Sequence, residues 1–210
     1  MKQLFLHAKV DVDLIKIVEK VLSKLEGKVA VYTTIQHLGM IKPVLEYLKK
    51  EKVNVVSSGQ ILGCIVPKDK VDTFLYLGQG KFHPIAILLK HDTKVICADP
   101  ISCKVTEISK SDVERVVKKQ KGAMLKFLTS NKIGVLVSMK KGQEHYSEAK
   151  KLEKKYPDKT FYYFVMDTLD FSEIENFPKV ECYVNSMCPR IGFDDTIRVG
   201  KSIINLEEVL

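Results

Sequence analysis

Short apolar runs alternate with longer amphipathic stretches along the 210 residues. Val29–Thr34, Val53–Val56, Val71–Leu77, Lys94–Ala98, Ile133–Ser138, Thr160–Met166 and Val180–Val184 are each apolar for four to eight residues, the length of a buried strand. Leu4–Val10 reads as a further strand that starts almost at the first residue. The intervening stretches carry helical spacing. Asp11–Glu26 places Leu14, Ile17, Val18, Val21 and Leu25 on one face before Gly27 ends it. His37–Lys50 does the same with Met40, Ile41, Val44, Leu45 and Leu48, and Pro43 lies near its first turn, where proline is tolerated. A short helix is expected over Ile85–Leu89 and a further one over Glu144–Tyr156. Ser111-Asp112-Val113-Glu114 has the form of a capping box and opens a helix to about Thr129. Strands alternating with helices predict an α/β fold with parallel sheets.

The pattern also repeats. Lys28 and Lys132 open comparable strands, and Val71-Asp72-Thr73-Phe74-Leu75 echoes Val180-Glu181-Cys182-Tyr183-Val184. The expectation is two related units, each a small parallel β-sheet flanked by helices, covering residues 1–107 and 108–210.

Composition narrows the class. Hydrophobic residues at 45% and charged residues at 29% are ordinary for a folded domain, and no segment has the composition of disorder. No apolar run approaches the length of a membrane span. The first residues have too short an apolar core for a signal peptide, so a cytoplasmic protein is expected. The formal charge of +8 is spread over lysine pairs such as Lys49-Lys50, Lys118-Lys119 and Lys154-Lys155. Those pairs fall mostly on helix-like stretches, which argues against nucleic acid as the main partner. The five cysteines show neither a disulfide framework nor a CxxC pair, and a metal site would draw on cysteines distant in sequence.

Candidate chemistry collects in loops that follow predicted strands, where ligands of open α/β sheets bind. These loops are Thr33-Thr34-Ile35-Gln36-His37, Gly78-Gln79-Gly80-Lys81-Phe82-His83-Pro84, Ser138-Met139-Lys140-Lys141-Gly142-Gln143 and Cys188-Pro189-Arg190. Glycines allow close backbone approach, and lysines near helix N-termini favour an anionic group. Neither glycine loop fits a P-loop or a dinucleotide fingerprint. Each loop also has a purely structural reading. On spacing alone His83 reads as a packed loop histidine ahead of a catalytic one, and His37 as a helix cap. Cys97 and Cys182, inside strands, read as small core residues, and Cys103 stays open. Asp194 and Asp195 fit a helix N-terminus as well as a substrate contact.

Together with Ser58-Gly59-Gln60-Ile61-Leu62-Gly63-Cys64 and Met187-Cys188-Pro189-Arg190-Ile191-Gly192-Phe193-Asp194-Asp195, these loops resemble one family in order across nearly the whole chain. It is the archaeal-type diphthamide-synthesis radical enzymes, the 3-amino-3-carboxypropyl transferases of the first step. The resemblance implies three related α/β domains, each giving one cysteine to a 4Fe–4S cluster whose fourth iron binds S-adenosyl-L-methionine. The group transferred goes to a histidine of translation elongation factor 2. By the same resemblance Cys64 and Cys188 are metal ligands facing a common cleft. His83, Gln143 and Arg190 are catalytic candidates. Gln36, His37, Gly78, Gly80, Phe82, Lys140, Gly142, Asp194 and Asp195 are cofactor-binding candidates.

The chain departs from that family in one respect. Its two units match the second and third domains, and Leu4–Lys9 resembles only the last strand of the first. Two thiolates do not make three, so a separately encoded chain carrying the first domain is expected as a partner, alongside elongation factor 2 and possible copies of itself. A non-catalytic binding or assembly protein, and a cluster-free small-molecule transferase, are the competing expectations.

Overall fold

The alternation of apolar runs and amphipathic stretches resolves into two sheets in the computed structural model, which describes residues 4, 6, 8–63, 65–193 and 200–210. The chain divides into two compact units, residues 1–113 and 114–210.

In the first unit the strands β1 (Lys28–Thr33), β2 (Asn54–Gln60), β3 (Thr73–Leu77), β4 (Lys94–Asp99) and β5 (Lys104–Glu107) lie in the order β2-β1-β3-β4-β5. The first four are parallel, and β5 returns antiparallel on β4. Successive side chains of a strand point to opposite faces. Val29, Val31, Leu75, Leu77, Ile96 and Ala98 therefore pack with Leu14, Ile17 and Val18 of α1 (Leu14–Glu19) and Ile41, Val44 and Leu48 of α2 (Ile41–Lys50). Ala30, Phe74, Tyr76, Val95 and Cys97 form a second core on the other face, with Ile87 of α3 (Phe82–Lys90). Both faces are covered, which is why these strands read as unbroken apolar runs.

The second unit repeats this plan. Its strands β6 (Lys132–Ser138), β7 (Thr160–Met166), β8 (Cys182–Asn185) and β9 (Ile203–Asn205) lie in the order β7-β6-β8-β9, all parallel. Strand for strand this is the order β2-β1-β3-β4 of the first sheet. Ile133, Val135, Val137, Cys182, Val184 and Ile204 face one core, while Leu136, Tyr183 and Ile203 face the other. The long helix α4 (Lys110–Thr129) holds the boundary between the units and contributes Ala123 and Phe127 to the first of these cores. The short helices α5 (Tyr146–Ala149), α6 (Lys151–Lys155), α7 (Phe171–Glu175), α8 (Arg190–Phe193) and α9 (Leu206–Val209) complete the unit. Among the described residues no helix is long and apolar enough to cross a membrane.

The recurring strand starts share a mechanism. Asp72, just before β3, accepts the Lys28 N–H at 2.7 Å, and its own N–H donates to the Lys28 carbonyl. Glu181, just before β8, accepts the N–H groups of Asn131 and Lys132 at 2.7 and 2.9 Å and donates its N–H to the Lys132 carbonyl. In each unit a carboxylate thus ties the start of the central strand to its neighbour. The sequence echo around Lys28 and Lys132 reflects this tie.

Several expectations are corrected. No strand forms at the described residues of the 4–10 stretch. Leu4 and Leu6 are exposed, and Val10 donates its N–H to the Gln36 carbonyl instead of a ladder. The long helix starts at Lys110, not Ser111, because Asp112 reaches back to the Ser109 N–H at 2.9 Å. The expected helix over 144–156 is two short ones that meet at Lys150. The helix expected from Ile85 begins at Phe82, with Pro84 in its first turn, where the missing N–H has no partner to lose. Strands β5 and β9, and helix α7, carry no periodic signal long enough to register.

The tie at Glu181 makes stability depend on pH. Hydrogen bonds from Lys132 and Asn131 hold its carboxyl below the usual glutamate range. A carboxyl whose folded pKa is depressed stabilises the fold above its unfolded pKa, near 4.3, and loses that contribution as pH falls through the folded value. The urea midpoints of the native protein and Glu181→Gln are expected to differ at pH 7 and to converge at progressively lower pH. A gap that stays constant with pH would assign the effect to shape alone.

Candidate functional site

Register sets the carboxyl edge of the first sheet. Thr33 of β1 pairs with Gln60 of β2 and Leu77 of β3, and Leu77 pairs with Ala98 of β4. The four strands finish at one level, so the loops that follow them leave from a common edge. The Thr33 hydroxyl donates to the Leu77 carbonyl at 2.6 Å, and the Ile61 N–H donates to the Thr33 carbonyl.

After β1, the His37 N–H closes a turn on the Thr34 carbonyl, and the Thr34 hydroxyl donates to the Gln36 amide oxygen at 3.3 Å. His37 is buried and makes no side-chain cap, contrary to the capping reading, and its Nδ1 has no hydrogen-bond partner. Burial pushes the imidazole pKa down, opposed in part by the carboxylate of Asp99 at the end of β4. Burial alone would raise Asp99. The Ser102 hydroxyl and the Ile101 and Ser102 N–H groups outweigh it and hold that carboxyl below its usual value, with a contribution from His37.

After β3, the glycine loop is held from beneath by two buried groups of the second core. The Tyr76 hydroxyl donates to the Gln79 carbonyl at 3.3 Å and lies 3.2 Å from Nδ1 of His83, whose ring stacks on that of Tyr76 at 5.4 Å. The Cys97 thiol lies 3.6 and 3.7 Å from the Gly78 and Gly80 carbonyls, either of which can accept its one proton. Gly78 is required here because a Cβ on it would lie 2.6 Å from the Tyr76 hydroxyl. Beside it Lys81 bonds Asp112 at 2.8 Å, and this ammonium, helped by Ser109, holds the Asp112 carboxyl down at about 2. Phe82 packs against Gly63, where a Cβ would meet the ring at 2.5 Å. The start of α3, with Phe82 and His83, therefore abuts the segment that follows β2. Cys64 lies outside the described residues.

In the second unit the loop after β6 turns tightly. The Ser138 hydroxyl accepts the Lys140 N–H at 3.0 Å, the Gln143 N–H donates to the Lys140 carbonyl, and Gly142 takes φ +82°. Lys140 is exposed and its ammonium donates to the Thr168 hydroxyl at 3.3 Å, while Gln143 is half-buried.

The turn that carries Cys188 rests on two buried amides. Asn185, the last residue of β8, accepts the Met187 N–H at 3.0 Å on Oδ1. Its Nδ2 donates to the Cys188 carbonyl at 2.9 Å and to Oδ1 of Asn205 at 2.7 Å. Asn205, its partner in the ladder at the end of β9, donates to the Pro189 carbonyl at 3.0 Å. The Ser186 hydroxyl and N–H both donate to the Leu136 carbonyl. Gly192 passes so close to Asn205 that a Cβ there would meet its amide at 2.4 Å. The backbone around Cys188 is thus fixed from below while its thiol, free and half-buried, stays at the strand end. Arg190 is exposed in the first turn of α8, and Asp194 and Asp195 lie outside the described residues.

The structure therefore gathers Gln36, His37, Gly78, Gly80, Phe82 and His83 at one sheet edge, and Lys140, Gly142, Gln143, Cys188 and Arg190 among the carboxyl-end loops of the other. Asn185, Asn205, Tyr76 and Asp99 were not anticipated as parts of these sites. For Asn185 and Asp99 the available signal was a polar residue closing an apolar run, Asn185 being three residues before Cys188; Tyr76 and Asn205 had none. Among the described residues no three His, Cys, Asp or Glu side chains come together as a metal site. Cys97 and Cys182 are buried and free, as expected of core cysteines, and Cys103 is exposed in the turn between β4 and β5 at φ +55°.

A family model for diphthamide synthesis proteins matches residues 1–210. The chain is 33% identical over 201 residues to a 2-(3-amino-3-carboxypropyl)histidine synthase of Pyrococcus horikoshii, a match covering 90% of this chain and 58% of that protein. It is 31% identical over 183 residues to the protein of the same name from Methanocaldococcus jannaschii, covering 86% of this chain and 50% of that one. The crystal structure of Dph2 from Pyrococcus horikoshii superimposes with a TM-score of 0.85 at 30% identity, covering 96% of this chain and 62% of that chain. The structure of Dph2 from the same organism with a 4Fe-4S cluster gives 0.83. The chain thus spans between half and about three fifths of the length of these relatives.

Two outcomes are expected from this geometry. Burial raises the Cys97 thiol to about 11 and the Cys182 thiol to about 12. At pH 8 the thiolate fraction of Cys97 falls roughly 100-fold for a shift of two units, and exclusion of reagent slows it further. Mass spectrometry of iodoacetamide-treated protein should find Cys103 and Cys188 labelled well before Cys97 and Cys182. Replacing the clamp by Asn185→Leu, similar in size, leaves the Asn205 oxygen and the Met187 N–H unpaired in the interior and should cost about 2–3 kcal/mol in urea unfolding. The same variant should alkylate faster at Cys188 alone. Unchanged stability and an unchanged Cys188 rate would show that the amides do not hold the turn.

Proposed function

This chain belongs to the diphthamide synthesis protein family, and we propose that it forms two α/β units of a 2-(3-amino-3-carboxypropyl)histidine synthase. On this reading it acts in the cytoplasm and transfers a 3-amino-3-carboxypropyl group from S-adenosyl-L-methionine to a histidine of translation elongation factor 2. The observation that carries it is the Cys188 turn. A free, half-buried thiol is held at the carboxyl end of a buried strand by an amide pair, in a chain 33% identical to a protein so named.

The donor set fits an iron–sulfur cluster in kind. Cys188 offers a soft thiolate on a fixed backbone, and Cys64, in the matching motif of the first unit, is the second proposed ligand. Cys97 and Cys182 are not proposed as ligands, since both side chains lie within strands and are buried in the cores. The family resemblance calls for a third thiolate, and a separately encoded chain bearing the remaining domain is its proposed source. A 4Fe–4S cluster with one iron open to S-adenosyl-L-methionine would supply the electron that cleaves it.

The residues of this chain have the following proposed roles. Lys140 and Arg190, both cationic and exposed at a strand end, bind the carboxylate of the cofactor. Gln143, on the turn closed by Lys140, and Gln36 with His37 supply further polar contacts. Gly78, Gly80 and Gly142 let the backbone come close, and Phe82 gives an apolar wall. His83 is the proposed acid–base or hydrogen-bonding group at the reacting end. Asp194 and Asp195 are proposed to orient Arg190 or the protein substrate.

Anaerobic reconstitution with iron and sulfide, with and without a polypeptide carrying the rest of the relatives' length, tests the reading. Iron per chain and transfer to elongation factor 2 should rise together when that polypeptide is added. Cys188→Ala should lower both by more than about tenfold, the scale on which even outer-sphere changes affect metal sites. Absence of iron in the reassembled protein would favour a non-catalytic binding or assembly role, or a cluster-free transferase.

A further inference from the structure

A sheet edge needs protection, because the outward N–H and C=O groups of its last strand can pair with another chain. Among the described residues the two sheets have four edges, and three of them are blunted. Strand β2 carries an extra residue, Val56, where its register against β1 shifts. Strand β5 has four residues with a charge at each end, Lys104 and Glu107, and β9 has three residues. The fourth edge, β7, has no such device. Its seven residues, Thr160–Met166, keep an unbroken register on β6 and include no charge, proline or glycine. Tyr162 and Val165 are 45% and 56% exposed there.

Two hydrogen bonds fix which backbone groups of β7 face outward. The Thr160 N–H donates to the Asn131 carbonyl, and the Met166 carbonyl accepts the Met139 N–H. Even-numbered residues therefore face β6, and alternation turns the N–H and C=O of Phe161, Tyr163 and Val165 to the open side. The side chains of these three lie on the same face as those of Lys159 and Asp167, which flank the strand. Tyr162 and Phe164 lie on the other face, beside a groove of about 640 Å³ that Phe177, Pro178 and Val180 also line.

We propose that β7 is the contact surface for a second copy of this chain, the two β7 strands pairing antiparallel about a two-fold axis at Tyr163. In that register Tyr163 lies opposite the partner's Tyr163, and Phe161 lies opposite the partner's Val165. All the outward groups are then used, in about six backbone hydrogen bonds. The ends match in charge, since Lys159 of each copy faces the partner's Asp167. The Lys159 ammonium donates to the carbonyls of Leu128 and Ser130, and its third N–H is left for that carboxylate. A parallel pairing would instead set lysine against lysine and aspartate against aspartate. Beside the axis, Lys150 and Glu153 contact Tyr163 and already pair with each other at 2.9 Å, so they bring no uncompensated charge. On the other face Tyr162 comes opposite the partner's Phe164, an aromatic cross-strand pair that covers the groove. Both copies use the same surface, so the assembly closes at two. None of this depends on the reading of Cys188.

Sedimentation velocity of the full chain over a concentration series tests the surface. The unsubstituted chain should dimerise. Val165→Lys puts a charge on the open edge at an exposed position, and should leave a monomer with the urea midpoint retained. Asp167→Lys, outside the strand, should weaken the dimer in the same direction. The register has its own readout. Under mild oxidation Tyr163→Cys should form a disulfide-linked dimer absent from the unsubstituted chain, because opposed residues stand about 5.5 Å apart, within disulfide reach. Tyr162→Cys, though more exposed, should not, since it faces residue 164 of the other copy. A chain monomeric at every concentration, or a dimer unchanged by Val165→Lys, would overturn the proposal. Crosslinking at residue 162 in place of 163 would overturn the two-fold at Tyr163. If Val165→Lys instead abolishes binding of the polypeptide that carries the rest of the relatives' length, the edge belongs to that polypeptide and the second copy is excluded.

Discussion

Covering both faces of a parallel sheet is the constraint on which the structure depends. In each unit, alternate residues of every central strand enter opposite cores, as Leu75 and Leu77 do against Phe74 and Tyr76. On β1, β3, β6 and β8 the faces are taken up almost entirely by the cores. The backbone groups that end the strands, and the loops leaving them, are the parts free to meet a ligand. Because strands in register stop at one level, residues far apart in sequence share an edge without any dedicated contact between them.

The same constraint dictates what supports the site. A side chain one strand pair below the edge is buried, and if polar it must find a partner there. Tyr76, Cys97, Asn185 and Asn205 are in that position, and each bonds the backbone of the loop above it. The loops are thus fixed by groups that belong to the core. This also separates the roles of the cysteines. Cys97 and Cys182 lie within strands and are inert, whereas Cys188 lies past a strand end with its carbonyl clamped and its thiol left accessible.

The two units share strand order and the carboxylate tie at the start of the central strand, yet their edges differ. The third strand of the first sheet leads into a glycine loop and a histidine on a nine-residue helix. The third strand of the second sheet leads into a cysteine–proline turn and a four-residue helix. A repeated scaffold therefore carries unlike chemistry at equivalent places, because loop residues answer to the ligand and strand residues answer to the core.

How much of this the sequence determined follows from the range of the interactions. Strand positions from Lys28 to Val184, the inward faces of α1 and α2, the doubling of the unit and the burial of Cys97 and Cys182 all rest on local periodicity, and periodicity is written in the chain. That Gln36, His83, Gln143 and Cys188 follow strand ends is likewise local information, read from where each apolar run stops. Tertiary structure alone decided the rest. Strand β9 has three residues and β5 four, too few for a period, and each exists because a neighbouring strand offers it a ladder. The pairing of Asn185 with Asn205, and the reach of Tyr76 to His83, depend on which buried polar groups the fold brings within hydrogen-bond distance. That is a property of neighbours in space, and no window of sequence contains it.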